Sequence, residues 1–211
     1  MKLAAVIAES RDIDSLHLIV HLHLRELPIN TDLFTFGFKD RIRKDAFKRM
    51  DSNMVVVNEK CDIKGIEDYN RLLTSPIFWQ RFLDLGYDRV LIFQADSMLL
   101  RTGIQEFYEY DYVGASWTWN TDHIGNGGLS LRNPKIMKEI CEKFTWDGSR
   151  NEDHWICEKM FTHKIGNLAP IEVADKFSCE AKFIKGTLGY HAISKYLTPE
   201  QCSEIETQYD D

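Results

Sequence analysis

Gly86-Tyr87-Asp88-Arg89-Val90-Leu91-Ile92-Phe93-Gln94-Ala95-Asp96-Ser97 decides how this chain folds. A turn at Gly86 leads into a short strand, Arg89 to Phe93, whose apolar run from Val90 ends at Gln94, Ala95 and Asp96. Such a run suits a strand buried on both faces, as in a parallel sheet. In open α/β sheets the carboxyl ends of the strands are where ligands bind, and Asp96 would stand there.

The same logic extends in both directions. Residues 3–8 are continuously apolar and read as a first buried strand. Residues 13–27 carry apolar side chains at helical spacing and stop at Pro28. Residues 33–38 and 54–57 read as further strands, with a short basic helix over 41–50 between them. Residues 69–73 are helical in character, and Pro76 restarts a helix that Gly86 ends. Beyond the decisive strand come a short helix over 104–110, strands at 112–115 and 129–131, and helices over 134–144, 152–161 and 199–207. Alternation of strand and helix predicts an α/β fold: a central, mostly parallel mixed sheet flanked by helices, Rossmann-like, with residues 1–211 as one domain.

Composition narrows the function. The 211 residues are 44% hydrophobic and 28% charged, ordinary for a globular protein. A net charge of −7 with no long basic run argues against nucleic acid as partner. Five scattered cysteines without a CxxC pair argue against a disulfide framework or a zinc site and suit a reducing compartment. No apolar stretch approaches about 18 residues, so no transmembrane segment is expected, and the N-terminus reads as a strand and not as a signal sequence. The expected location is cytoplasmic.

Five segments carry candidate chemistry. Asp96 could coordinate a divalent metal, Mg²⁺ or Mn²⁺, that bridges the phosphates of a nucleotide diphosphate; a local turn cap is its plain alternative. In Gly125-Asn126-Gly127-Gly128 the glycines let the backbone approach a ligand, and Asn126 suits sugar hydroxyls. Trp117 and Trp119 precede that turn, and aromatic faces pack against sugar C–H surfaces. Asn151-Glu152-Asp153 opens a helix, where two carboxylates serve either as dipole partners and caps or as a general base. Glu180 could orient a sugar, and His191 could ligate a metal or touch a phosphate. Arg11, which follows Glu9 and Ser10, and Arg71 are candidate phosphate partners; exposed arginines without such a role are the bland alternative.

Taken in order and spacing, these segments resemble glycosyltransferases of the GT-A fold. They are also similar to a glycosyltransferase-like family known from capsule and surface-glycan proteins, and to the virus-encoded glycosyltransferase domains that glycosylate a chlorella-virus major capsid protein. The resemblance covers roughly residues 3–191. It implies transfer of a hexose or deoxyhexose from a nucleotide-diphosphate sugar, most often a UDP-sugar, to a glycan or glycoprotein hydroxyl. Gln94-Ala95-Asp96 then stands where these enzymes carry Asp-x-Asp, with Gln94 in place of the first acid. Asp96 and His191 become the metal ligands, for Mn²⁺ or Mg²⁺, and Ala8, Glu9, Ser10 and Arg11 line the nucleotide pocket. Asp153 becomes the base of an inverting reaction, with Glu152 as fallback. Trp117, Trp119 and Glu180 become acceptor or sugar contacts. A retaining transferase, a binding module without turnover and a nucleotidyltransferase remain open on the residues alone.

Overall fold

A computed structural model describes residues 1–9, 11, 13–37, 56–59 and 63–207, with side chains outside 56–59. Ser10, the helix expected over 41–50 and the start of the strand expected over 54–57 lie outside the described residues.

Among the described residues the main sheet has six strands: β1 (Leu3–Ala8), β2 (Asp32–Phe36), β3 (Val56–Glu59), β4 (Arg89–Phe93), β6 (Tyr112–Gly114) and β7 (Leu129–Arg132). Their order across the sheet is β3-β2-β1-β4-β7-β6. The β1–β2, β1–β4 and β2–β3 pairs are parallel, whereas β7 runs antiparallel to both β4 and β6. This is the α/β fold with a mixed sheet that the sequence predicts. β1 and β4 are buried along their whole length, which explains why both read as unbroken apolar runs.

Helices α1 (Leu16–Glu26), α2 (Ile66–Leu73), α3 (Pro76–Asp84), α4 (Pro134–Lys143), α5 (Glu152–His163), α6 (Ile171–Phe177) and α7 (Pro199–Glu206) are the described helices. Prolines sit in the first turn of α3, α4 and α7, where the missing N–H costs nothing. The helix expected over 104–110 is only a 3₁₀ turn, Ile104–Phe107, entered through Gly103 in the left-handed region at φ 112°. Among the described residues no helix is long and apolar enough to cross a membrane.

A second, small sheet went unread in the sequence. Strands β5 (Ser97–Leu99), β9 (Gly189–His191) and β8 (Ser178–Cys179) lie in the order β5-β9-β8. Its register sets Ser97 opposite His191. Two residues more than ninety positions apart in the chain, Asp96 and His191, are thereby delivered to one place.

α5 is fixed to β7 by a buried ion pair. The fully buried Arg132 guanidinium donates to both oxygens of Glu152, at 2.7 and 2.9 Å. Breaking such a pair strands one charge in the interior. Arg132→Met should lower stability by about 3–5 kcal/mol, and the double change with Glu152→Met should recover much of it. Urea unfolding of the three proteins measures both terms.

Candidate functional site

The parallel strands β1, β2 and β4 all end at one edge of the sheet, and two clefts open there. One, of about 350 Å³, is lined by Trp117, Trp119, Asn126, Gly127, Gly128, Asp153, Glu180 and His191, among others. The other, of about 340 Å³, is lined by Ala8, Glu9, Arg11, Lys64 and Asp96, among others. Ile66, Tyr69, Gln94 and Lys195 line both, so the clefts share a wall.

Asp96 faces this junction and not its own turn. Its Oδ1 lies 3.3 Å from His191 Nε2, and its Oδ2 accepts from Lys195 Nζ at 2.9 Å. His191 and Lys195, more than the cost of partial burial, hold the Asp96 carboxyl well below the usual carboxylate range; the hydrogen bond to His191 is the largest contribution. His191 is bound on its other side too, with Nδ1 3.0 Å from Glu180 Oε1. Burial pulls the imidazole pKa down, but the bonds and charges of Asp96 and Glu180 outweigh it and raise it to about 9. Glu180 reaches further, accepting from Trp117 Nε1 at 2.7 Å.

These donors suit a divalent cation. Two cis ligands at about 2.1 Å from an octahedral ion lie about 3 Å apart, close to the 3.3 Å between Asp96 Oδ1 and His191 Nε2. The Gln94 amide oxygen is 3.1 Å from Nε2 and adds a neutral donor. A ligating histidine normally has its second nitrogen anchored on a carboxylate, the part Glu180 plays here. The set is sparse: among the described residues no group of three or more His, Cys, Asp or Glu side chains is arranged to hold a metal. Remaining positions would fall to phosphate oxygens and water.

The Gly-rich turn serves the site in a different way from that read in the sequence. A side chain at Gly125 would strike the Trp117 ring at 2.6 Å, and one at Gly127 would meet Asp153 Cβ and Glu152 Oε1 at 2.7 Å. A side chain at Gly128 would fall inside the His191 ring. All three have ordinary backbone angles, so the requirement is space. Asn126 is buried and internally engaged: its amide nitrogen lies 2.9 Å from His191 Nδ1, and its oxygen accepts from Leu129 N at 3.2 Å. It packs beside His191 and closes the turn.

Asp153 lies beside this turn at the start of α5. Its Oδ2 accepts from Gly127 N at 2.9 Å and Oδ1 from His154 N at 2.7 Å. Asp153 lines the first cleft and is half-buried. Desolvation, then the charge of neighbouring Glu152, pushes its pKa up to about 7 despite the bonds it accepts. A carboxyl with that affinity can take or give a proton near neutrality.

Several expected residues sit elsewhere. Arg71 lines neither cleft; it pairs with Glu67 one helical turn back, at 2.5 Å, and lies over Trp146. Glu152 borders the cleft, but both its oxygens are on Arg132, so it is a fastening and poorly placed as a base. Ala95 packs against the core within the turn. Arg11 does reach the second cleft, held by Glu9 through a 2.9 Å bond from Nε to Oε1 and a 2.6 Å bond from its terminal nitrogen to Oε2. Lys195 and Tyr196, missed in the sequence, complete the wall from a 3₁₀ turn, Ile193–Lys195, just past His191.

The family model described as "Protein of unknown function (DUF5672)" matches residues 51–191, more than half of the chain, and the chain belongs to that family. Curated proteins give no sequence match. In fold the chain is similar to the apo-form glycosyltransferase GlyE of Streptococcus pneumoniae TIGR4, with TM-score 0.55 and 15% identity over 100% of this chain and 61% of that one. It is also similar to the mannosyltransferase PcManGT from Pyrobaculum calidifontis in complex with GDP-Man and Mn²⁺, with TM-score 0.53 and 9% identity over 82% of this chain and 55% of that one. The chain therefore has the fold of these glycosyltransferases and spans about three fifths of their length or less.

Gly128→Ala is expected to push the His191 ring out of its place. The cost should be about 1–3 kcal/mol, read as a lower urea midpoint. Changed His191 ring resonances in NMR would report the displacement directly.

Proposed function

We propose that residues 1–211 form a catalytic unit that transfers a hexose or deoxyhexose from a nucleotide-diphosphate sugar to a hydroxyl of a glycan or glycoprotein, with inversion and with Asp153 as base. The observation that carries this reading is that Asp153 and His191 line one cleft, where desolvation and the Glu152 charge push the Asp153 carboxyl up to about 7. The shared glycosyltransferase fold supports it, as does the similar mannosyltransferase whose structure holds GDP-Man and Mn²⁺.

The division of labour follows from the two clefts. The one lined by Ala8, Glu9, Arg11 and Asp96 would take the nucleotide diphosphate. The one lined by Asp153 and the tryptophans would take the donor sugar and the acceptor. Asp96 and His191, with Gln94, would hold Mn²⁺ or Mg²⁺, which when bound supplies neutralising charge to the diphosphate. Lys195 lies at the shared wall and Arg11 in the nucleotide cleft, and both add positive charge where the leaving group develops its negative charge. Asp153 removes the proton of the acceptor hydroxyl as its oxygen bonds to the anomeric carbon. The bond from that carbon to the phosphate oxygen breaks, and the electron pair departs with the nucleoside diphosphate. Uridine is the nucleoside suggested by sequence resemblance, and the surface or capsid glycans of that resemblance suggest the acceptor.

Asp153→Asn should reduce transfer at least a hundredfold while nucleotide-sugar affinity, read by thermal shift with Mn²⁺, stays within twofold. Unchanged turnover in that variant would remove Asp153 from the role. Because the base must be ionised, kcat/KM should fall about tenfold per pH unit below pH 7 and level off above it. A profile flat from pH 5 to 8 would contradict the assignment, and NMR of the product anomer tests inversion.

A further inference from the structure

The first cleft is bordered by two large aromatic side chains that stand well out into solvent, Trp119 and Tyr196. Trp119 is 57% exposed and Tyr196 48%, whereas Trp117 behind them is only 7% exposed. The Trp117 and Trp119 rings are stacked, with centroids 5.6 Å apart and planes 18° from parallel. Trp117 therefore braces one face of Trp119 and leaves the other to solvent. Trp117 is itself fixed, because its indole N–H donates to Glu180 at 2.7 Å. Tyr196 stands beside Trp119, its ring centroid 5.8 Å from that of Trp119 and its plane inclined by 38°. The result is a shallow trough with two aromatic facets and a rigid floor.

Exposed apolar surface of this kind, contiguous with a polar cleft, marks a place where a ligand lies. We propose that the Trp119–Tyr196 trough is an outer subsite for a second sugar unit, so that the acceptor is an oligosaccharide and not a lone sugar or a protein side chain. This rests on the transferase reading of the same cleft, with Asp153 at the inner end and the trough at the rim.

The chemistry of the trough selects the ligand. A pyranose has an apolar C–H face, which an aromatic ring covers, and a belt of hydroxyls at its edge, which needs hydrogen-bonding partners. Arg150 and Lys195 line the same cleft and can donate to that belt. A lipid tail would need an unbroken apolar lining, yet Asn126, Asp153 and Glu180 line the same cleft. A chain whose terminal hydroxyl meets Asp153 has its next unit leaving through the rim.

Binding is measured by NMR titration of the protein with UDP and Mn²⁺ present. The probes are α- and β-linked trisaccharides of glucose, galactose, mannose and N-acetylglucosamine, their methyl monosaccharides, octyl glucoside and a serine-rich peptide. At least one trisaccharide should bind tenfold or more tightly than its monosaccharide. Trp119→Ala should erase that difference and Trp119→Phe should keep most of it, with unchanged melting temperatures showing that the fold is intact. The proposal is overturned if no trisaccharide exceeds its monosaccharide, if the advantage survives Trp119→Ala, or if only the alkyl chain or the peptide contacts Trp119. Hydrolysis of UDP-glucose and GDP-mannose by the unaltered protein is followed in parallel. Absence of hydrolysis and of nucleotide binding counts against the transferase reading, whereas hydrolysis without chain-length preference counts against the outer subsite alone.

Discussion

The buried ion pair between Arg132 and Glu152 is the constraint on which the site depends. Arg132 ends β7, which runs antiparallel to both of its neighbours in the sheet, and Glu152 begins α5. With both charges out of water, neither can let go without leaving the other unpaired. The guanidinium also reaches the Gly127 carbonyl at 3.5 Å and Ser130 Oγ at 2.9 Å, so it ties the turn, the strand and the helix together. Asp153 follows Glu152 directly. Its place at the edge of the cleft is a consequence of where Glu152 is held, and so is part of its raised proton affinity, to which the Glu152 charge contributes.

The glycines of the turn make this closeness attainable. Side-chain groups from three distant parts of the chain, Trp117, the Asp153 helix start and His191, press against successive points of one backbone segment. Any Cβ there would hold one of them away. The backbone then contributes its own groups: Gly127 N donates to Asp153, and Gly128 O accepts from Gln94 N at 2.9 Å. The metal-ligand candidates and the base candidate are therefore not independent features. They lean on the same four-residue turn from opposite sides.

The sequence disclosed the main sheet because its strands are buried along their length and leave unbroken apolar runs; the strand read at residues 89–93 is β4 to the residue. It disclosed α4 through Asn133 and Pro134, since capping is local chemistry, with Asn133 Oδ1 accepting from Lys135 N at 3.0 Å. It also singled out Asp96 and His191, which the fold brings together. What stayed hidden is non-local. Strands of two and three residues, such as β8, β5 and β9, are too short for any periodicity to register. Nothing local marks Arg132 as the partner of Glu152, twenty residues later. Arg71 pairs on the helix surface, as its spacing allows: Glu67 stands four residues before it, the distance at which opposite charges meet on a helix.

The short turn after His191 shows why such hidden elements matter. Ala192 takes the left-handed conformation, φ 51°, an uncommon choice for a residue with a side chain. Its N–H donates to the Asp96 carbonyl at 2.8 Å, closing the chain back onto the turn that carries the acid. The backbone reversal there allows Lys195 to reach Asp96 Oδ2 while Tyr196, the next residue, meets Trp119. Neighbours in sequence thus serve opposite ends of the two clefts, one at the shared charged wall and the other at the aromatic rim. An extended strand continuing from His191 would alternate its side chains across the sheet and could not aim consecutive residues at these two places. The strained residue is explained by what the turn must connect.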